Sequence, residues 1–328
     1  MAVEGVALRI EIRNWVSTVT NLLPFGNILY TNSLRNRILM RVLVTGASGL
    51  IGSHLVRSLV ESGHEVISVG RKRPTGPGKE VVEHIPFDFE RDHHFEKISE
   101  AAGALVHLAQ SPNFRDFPSN SREVFSTNVQ STIGLLQWAR TKGVRHFIYA
   151  STGGLYSGPG PFVEGSTPLK TPGELDLYFS TKLASEAFVQ CYSGEFSVAV
   201  MRFFFVYGPK QNRKMLLPRI FDRIQNGEEI FLDGEEGLRL NPIHVSDAGK
   251  TIQESLNNPR TMVTNVAGPE VLSLREASEI IGSHLRKRPR FVITGKPVSD
   301  VVGDTSYMFE NLFKSTRTLS EMVADLGI

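Results

Sequence analysis

The stretch VLVTGASGLIGSHL constrains this chain more than any other, because an apolar run breaks into three glycines and then becomes helix-like. The glycines are Gly46, Gly49 and Gly52. We predict a strand that ends at Thr45, a tight turn, and a helix that begins near Leu50. Glycine suits such a turn because it adopts positive φ angles and lets another group approach the bare backbone.

The first turn of that helix predicts a binding site for phosphate, because its free N–H groups and positive dipole end attract anions. We therefore expect a dinucleotide site formed by Gly46, Gly49, Leu50, Ile51 and Gly52. The alternative is a glycine-rich turn that binds no ligand. The position of the turn at the first strand of a strand–helix series favours the dinucleotide.

From Met40 onward, short apolar runs such as RVLVTG, EVISVG and ALVHLA alternate with amphipathic segments. Strands that are buried on both faces and joined by helices have this pattern. It predicts an α/β fold, a doubly wound parallel sheet with a smaller C-terminal substrate-binding region. We assign residues 40–208 to a dinucleotide-binding domain, to which 241–267 return, and residues 209–240 and 268–328 to the substrate-binding region.

Several segments have the amphipathic or apolar pattern of single elements. We predict helices over residues 124–141, 178–192 and 216–226, and a late strand at MVTNVAG. These elements carry most of the candidate site residues named below.

The residues after the second predicted strand bear on the choice of dinucleotide. An acidic side chain there would bind the ribose 2′-hydroxyl of NAD, whereas arginine favours the 2′-phosphate of NADP. Arg71, Lys72 and Arg73 stand at this place, so their charges favour NADP over NAD, with a solvated loop as the alternative. Asp88, after the third strand, is either a hydrogen-bond acceptor for the adenine amine or an ordinary loop carboxylate.

A second pattern points to proton transfer. Tyr178 and Lys182 are four residues apart and share one face of a predicted helix. A phenol with a pKa of about 10 is a poor base at neutral pH, but an adjacent ammonium and a positive nicotinamide favour the phenolate. Ser151 and Thr152 end a predicted strand, where a hydroxyl can bind a substrate oxygen. The alternative is a surface lysine beside a core tyrosine.

The chain resembles the extended short-chain dehydrogenase/reductase superfamily, in particular its NAD(P)-dependent epimerase/dehydratase family, which acts mostly on nucleotide sugars. The likeness covers nearly everything from Met40 onward and rests on these motifs: TGASGLIG, VHLA, TNVQST, AST, YFSTK, RFFFVYGP and NPIHVSDA. It implies a Rossmann fold and an enzyme that moves a hydride between a substrate C–OH and NAD(P).

The resemblance also implies roles for single residues. Thr152 would contact the substrate, Tyr178 would transfer the proton, and Lys182 would hold the nicotinamide ribose. Ala109 would line the cofactor channel, and Asn128 would support the site from its helix. An epimerase and an NADP-linked carbonyl reductase share this half-reaction, and a binding protein without turnover is a third possibility.

Three departures from the family pattern concern the substrate. Gly153 and Gly154 follow the hydroxyl residue where dehydratases tend to carry two acids, which disfavours elimination of water. Phe205 stands where the family usually has asparagine, and Arg239 is displaced by one position from the usual arginine. Both are candidate substrate contacts, although a one-residue shift on a strand sends a side chain to the other face.

Composition narrows the choice of partners. With 36 Lys+Arg against 34 Asp+Glu, the formal net charge is +2, which gives no reason to expect nucleic acid. No stretch reaches the roughly 18 to 20 apolar residues of a bilayer span, so we expect a cytoplasmic protein without membrane contact. His93 and His94 lack further ligands at suitable spacing, so no metal site is predicted. We expect a small-molecule substrate and a homodimer.

Two remaining features lie outside these patterns. Residues 1–39 mix charges with apolar runs, and we interpret them as an N-terminal extension, with an organelle presequence as the alternative. Cys191 is the only cysteine, which excludes an internal disulfide framework. Its apolar helical neighbours predict that it is a small core residue.

Overall fold

The structure, a computed structural model, describes residues 39–76, 82–298 and 300–327. In these ranges the strands are β1 Arg41–Thr45, β2 Glu65–Gly70, β3 Glu83–Pro86, β4 Ala104–His107, β5 His146–Thr152, β6 Ser197–Phe203, β7 Val206–Tyr207, β8 Glu229–Leu232, β9 Arg239–Leu240, β10 Ile243–His244, β11 Met262–Val266, β12 Leu272–Ser273, β13 Arg290–Ile293 and β14 Asp300–Val301.

Helices connect most of these strands. The α-helices of the described ranges are α1 Leu50–Glu61, α2 Ser121–Phe125, α3 Ser131–Thr141, α4 Leu177–Cys191, α5 Leu216–Asn226, α6 Val245–Asn257, α7 Leu274–Leu285, α8 Ser306–Asn311 and α9 Leu319–Met322. A π-helical turn, Ser126–Gln130, joins α2 to α3, and short 3₁₀ turns occur at Phe95–Lys97, Gly153–Leu155 and Val323–Gly327.

A seven-stranded sheet forms the centre of the described part of the chain, in the order β3-β2-β1-β4-β5-β6-β11. Each neighbouring pair within it is parallel. The strand order reverses between β1 and β4, and in such sheets a ligand crevice lies there, beyond the carboxyl ends of the strands. The predicted doubly wound parallel sheet is confirmed.

The sheet is covered on both faces because successive strand residues point in opposite directions. Val42 packs on one face with Leu55 of α1 and Ile252 of α6. Its neighbour Leu43 packs on the other face with Leu135 of α3. This two-sided burial explains why the strands are continuous apolar runs rather than alternating ones.

The later strands and helices build a smaller region with its own apolar core. Ile220 of α5, Ile230 of β8 and Ile281 of α7 meet in this core. Helix α7 starts at a capping box, in which the hydroxyl of Ser273 accepts from the Glu276 N–H and the Glu276 carboxylate accepts from the Ser273 N–H. Strand β11 returns to the central sheet beside β6. That the smaller region binds substrate stays a prediction.

The helix predicted over 216–226 is confirmed as α5, whereas the one predicted over 124–141 begins three residues earlier, at Ser121. The prediction for Cys191 is wrong, because its side chain is exposed. The residue lies about 200° around α4 from the buried Val189 and so faces away from the sheet.

The predicted N-terminal extension lies outside the described residues apart from Leu39. In the ranges that the structure describes, none of the helices has the length and apolar character needed to traverse a bilayer.

Candidate active site

The turn between β1 and α1 is closed by contacts that only glycine permits. Gly46 has φ +67, and a Cβ built on it would lie 2.7 Å from the carbonyl carbon of Leu108 and 2.8 Å from the nitrogen of Ala109. A Cβ on Gly52 would lie 2.1 Å from the carbonyl oxygen of Gly46. The turn is therefore pressed between the segment after β4 and helix α1, as the tight strand–helix junction requires.

Helix α1 begins at this turn without a side-chain cap. Its N-cap is Gly49, in an extended conformation, and no side chain accepts a hydrogen bond at that end. Leu50 and Ile51 are the first helical residues. The N–H groups and dipole of such an end attract phosphate, so this backbone can hold a pyrophosphate.

Polar side chains brace the ends of β1 and β4 against each other. The Thr45 hydroxyl accepts hydrogen bonds from the N–H groups of Leu108 and Ala109, at 3.2 Å each, and lies 2.7 Å from His107 Nδ1. Burial lowers the pKa of His107 to about 3, so its ring is neutral at physiological pH. Ala109 thus lies directly beside the glycine turn, where the cofactor channel was expected.

The residues expected to set the preference between NAD and NADP follow β2 and β3. Arg71, directly after β2, is exposed. Arg73 donates to the carbonyl of Val82 at 3.0 Å, which holds its guanidinium against the chain. Asp88 accepts from the Glu90 N–H at 3.2 Å and so also stabilises its own turn. Because β1, β2 and β3 are adjacent and parallel, these residues lie at the same sheet edge as the glycine turn.

Helix α4 positions the tyrosine and the lysine. The Asp176 carboxylate caps the helix by accepting from the Phe179 N–H at 2.8 Å, so Tyr178 lies in the first turn. Lys182 is buried, donates to the carbonyl of Ala150 at 2.8 Å, and has its Nζ 5.9 Å from the centre of the Tyr178 ring. The pair therefore shares a helix face, as predicted.

Burial shifts the pKa values of both members of this pair. Burial raises the pKa of Tyr178 to about 12, against the opposing effects of the Thr152 hydroxyl and the Arg115 charge. Burial also lowers the pKa of Lys182 to about 8, although the Glu186 carboxylate opposes this. Among the protein's own groups, desolvation thus outweighs the effects of Thr152 and Arg115 on Tyr178. That Lys182 and a positive nicotinamide stabilise the phenolate stays a prediction.

Thr152 is the last residue of β5 and follows Ala150, whose carbonyl accepts from Lys182, by two residues. Its hydroxyl accepts from the Gly154 N–H at 3.2 Å. The hydroxyl can still donate a proton to a substrate oxygen, because one hydroxyl both donates and accepts.

Asn128 supports the site from the π-helical turn. Its side-chain oxygen accepts from the Ser111 N–H at 2.9 Å, and its side-chain nitrogen donates to the Thr181 hydroxyl at 3.1 Å. That hydroxyl donates to the carbonyl of Tyr178 at 2.8 Å. Asn128 thus ties the loop after β4 to helix α4, where the resemblance placed a supporting residue.

The model of the family described as "NAD dependent epimerase/dehydratase family" matches residues 42–267, a span that holds both the glycine turn and helix α4. The chain belongs to this family. It is therefore an enzyme of the extended short-chain dehydrogenase/reductase superfamily, as predicted.

Two curated relatives and one solved structure illustrate what this epimerase/dehydratase family enzyme is similar to. "Uncharacterized UDP-glucose epimerase YtcB" of Bacillus subtilis (strain 168) is 26% identical over 299 residues, covering 85% of this chain and 92% of the relative. "dTDP-D-glucose 4,6-dehydratase" of Mus musculus is 30% identical over 224 residues, covering 63% of this chain and 62% of the relative. The structure "MoeE5 in complex with UDP-glucuronic acid and NAD" superposes with a TM-score of 0.74 at 28% identity, covering 87% of this chain and 97% of that one.

Of the two candidate substrate residues of this family enzyme, Phe205 lies between β6 and β7, and Arg239 lies on β9. Phe205 has φ +39, a left-handed backbone, and its half-buried ring packs between two apolar clusters. Arg239 is exposed and pairs with Asp300 at 3.5 Å, whereas Leu240, at the usual arginine position, is fully buried. The one-residue shift thus places Arg239 on the opposite side of β9 from the buried side chain.

Sequence reasoning missed a buried ion pair next to the lysine. Glu186 lies one helical turn after Lys182 and binds Arg202 of β6 at 2.7 Å. The Ser151 hydroxyl also donates to Glu186. A signal was available, because an arginine inside the apolar run SVAVMRFFF must find an anionic partner when that run is buried.

Two side chains over the tyrosine were missed as well. The side-chain oxygen of Gln110 lies 3.5 Å from the Tyr178 hydroxyl, and the Phe114 ring centroid lies 4.6 Å from that of Tyr178. Both belong to the loop after β4. No sequence periodicity predicts such a contact, because the loop has no regular secondary structure and reaches α4 only in the folded chain.

Proposed function

We propose that this enzyme is an NAD(P)-dependent epimerase of a nucleotide sugar, which removes a hydride from a C–OH carbon and returns it on the other face. One observation carries the proposal: Lys182 donates to the Ala150 carbonyl near the end of β5, where Thr152 stands, and lies beside the Tyr178 ring, at the same sheet edge as the glycine turn. The sugar class comes from the relatives, whose names include UDP-glucose and dTDP-D-glucose enzymes.

The residues present fit a dinucleotide. Gly46 leaves its backbone bare where a Cβ would strike the segment after β4, and the uncapped start of α1 offers N–H groups to a pyrophosphate. Gly46, Gly49, Leu50, Ile51, Gly52 and Ala109 would hold that half of the molecule, and Lys182 the nicotinamide ribose. When bound, NAD(P)⁺ supplies the hydride acceptor and a positive charge that favours the Tyr178 phenolate.

The chain's own residues handle the proton. Tyr178 takes the proton of the substrate hydroxyl during oxidation and gives it back during reduction. With a pKa of about 12 it is protonated at neutral pH, which suits the reduction half-reaction. Thr152 holds the substrate oxygen by a hydrogen bond, and Lys182, fixed by the Ala150 carbonyl, contributes charge next to the phenol.

Loss of water is disfavoured, although one relative is named a dehydratase. A Cβ on Gly153 would lie 2.2 Å from the Phe204 ring, and one on Gly154 would lie 2.3 Å from the Phe179 ring. Two acids after Thr152 would require the Phe204 and Phe179 rings to shift, and this chain has glycine at both positions. The missing acids support epimerisation over elimination, because a leaving hydroxyl must be protonated.

The cofactor we propose is NADP rather than NAD. Arg71 and Lys72 are exposed at the end of β2, where a 2′-phosphate would meet them. The same observation favours a second candidate function, an NADP-linked carbonyl reductase that releases its cofactor after each turnover. We further propose that residues 209–240 and 268–328 bind the substrate, with contacts from Phe205 and Arg239. The enzyme would be a homodimer in the cytoplasm.

The test is a Tyr178→Phe variant assayed with UDP-glucose and UDP-glucuronate, with products identified by NMR. We expect turnover to fall by roughly 100-fold or more, because the proton carrier is lost, while dinucleotide binding is retained. Tyr192→Phe, at the other end of α4, is the control and should match the native enzyme. Unchanged turnover would refute the role of Tyr178, and a deoxy-keto product would show a dehydratase.

A further inference from the structure

The loop after β4 is fixed in place over Tyr178. Ser111 Oγ and Asn113 Nδ2 donate to the two carboxylate oxygens of Glu123, at 2.6 and 2.8 Å. This anchoring holds Phe114 against the tyrosine ring. The loop is therefore a fixed part of the site, and Phe114 lies beside any ligand that contacts Tyr178.

Arg115 is the cation of this loop. Its guanidinium carbon lies 5.2 Å from the centre of the Phe114 ring, and the side chain is exposed. It forms no ion pair or hydrogen bond with any other residue in the described part of the chain. Glu123 is already occupied by its two donors, and the Asp176 carboxylate caps α4. The positive charge is thus available to a ligand beside Tyr178, where it opposes the rise that burial causes in the pKa of Tyr178.

The structure of a nucleotide sugar indicates which of its anionic groups would contact Arg115. The diphosphate is attached to C1, across the ring from C4, so a sugar that presents its C4 hydroxyl to Tyr178 directs its phosphates away from that residue. In a hexuronic acid, by contrast, a carboxylate is attached to C5, next to C4. The only sugar anion beside the reacting carbon is then this carboxylate.

We infer that Arg115 binds the carboxylate of a nucleotide-linked hexuronic acid and thereby selects uronates over neutral hexoses. The inference rests on the proposed function for the placement of the sugar. A guanidinium suits the task because its planar fork matches the two oxygens of a carboxylate. The Phe114 ring adds a cation–π contact to the guanidinium and itself packs against the Tyr178 ring.

The experiment is titration calorimetry of UDP-glucuronate and UDP-glucose on the NADP-loaded protein. For Arg115→Gln we expect affinity for UDP-glucuronate to fall by roughly 10- to 100-fold, since a charge-assisted hydrogen bond is lost, with less than about a twofold change for UDP-glucose. Arg115→Lys should retain part of the preference. Arg122→Gln, a nearby exposed arginine on α2, is the matched control and should bind like the native protein.

The other outcomes of the titration overturn the inference. An equal loss for both sugars would mean that Arg115 contacts the diphosphate, and no loss, or no binding of UDP-glucuronate by the native protein, would remove the carboxylate site. Turnover of both sugars is measured in an assay separate from the titration. UDP-glucuronate that binds through Arg115 but is returned unchanged would refute the epimerase and leave this inference standing, whereas epimerisation of both sugars without preference would refute this inference alone.

Discussion

Arg202 Nε and Nη2 donate to the two carboxylate oxygens of Glu186, at 3.0 and 2.7 Å, in a site from which solvent is almost excluded. The exposed fraction of the two side chains is only 6% and 1%. Ser151 donates a third hydrogen bond to Glu186, which lies one helical turn after Lys182. The ion pair therefore ties α4, β5 and β6 together behind the lysine.

We predict that Glu186→Leu lowers the free energy of unfolding by about 3–5 kcal/mol, because Arg202 is left buried without a counter-charge. Replacing both residues, as Glu186→Leu with Arg202→Met, should restore most of the loss. The matched control is the exposed pair of Arg140 and Glu195, where Glu195→Leu should cost less than about 1 kcal/mol. Urea unfolding measures all four proteins, and equal losses in the two single variants would contradict the argument.

The buried charge of Lys182 should make stability depend on pH. Its pKa falls from 10.5 to about 8, chiefly by burial, so the charged form costs free energy in the folded state. Since the folded pKa is below the unfolded one, this cost is complete below about pH 8 and disappears as the pH rises through about 10.5. We predict that the free energy of unfolding of Lys182→Met at pH 7 is higher than that of the native protein by up to about 3 kcal/mol. This gain should shrink towards pH 10.

The readout for Lys182→Met is the urea midpoint as a function of pH, relative to the native protein. Lys214→Met removes an exposed lysine and should show a difference near zero at every pH. A pH-independent gain in Lys182→Met would mean that packing, rather than the charge, is responsible.

Gly46 should tolerate an added Cβ less well than Gly143. Gly46 and Gly143 both have left-handed backbones, φ +67 and +70, but a Cβ meets backbone at 2.7 Å on Gly46 and nothing within 4 Å on Gly143. We predict that Gly143→Ala costs about 1–2 kcal/mol, the backbone term alone. Gly46→Ala should cost roughly 1–3 kcal/mol more, because the segment after β4 must move, and should weaken dinucleotide binding. Similar losses in unfolding experiments would remove the close-approach argument.

Arg71 should decide between the two dinucleotides. Removing its charge in Arg71→Gln is expected to weaken NADP binding by roughly tenfold while NAD binding stays within about twofold, because only NADP carries a 2′-phosphate. Arg57→Gln, on the exposed side of α1, is the control of equal charge change. Fluorescence titration with both dinucleotides measures the ratio, and an unchanged ratio would leave Arg71 as a solvated loop residue.

The amino-acid sequence by itself determined the central sheet, the glycine turn and the face shared by Tyr178 and Lys182. These are local properties: apolar runs need burial on both faces, and a spacing of four puts two residues on one side of a helix. The predicted boundaries at Thr45 and Leu50 are confirmed for the same reason. The roles of the site residues stay predictions.

Only the tertiary structure decided the electrostatics of the site. The pKa of Tyr178 and of Lys182 depends on desolvation, which is set by every segment packed around them rather than by their spacing. The partners of Glu186 and of Tyr178 come from β6 and from the loop after β4, which meet α4 only when the sheet assembles. Local patterns cannot report such contacts, because their free energy depends on distances in space and not on distance along the chain.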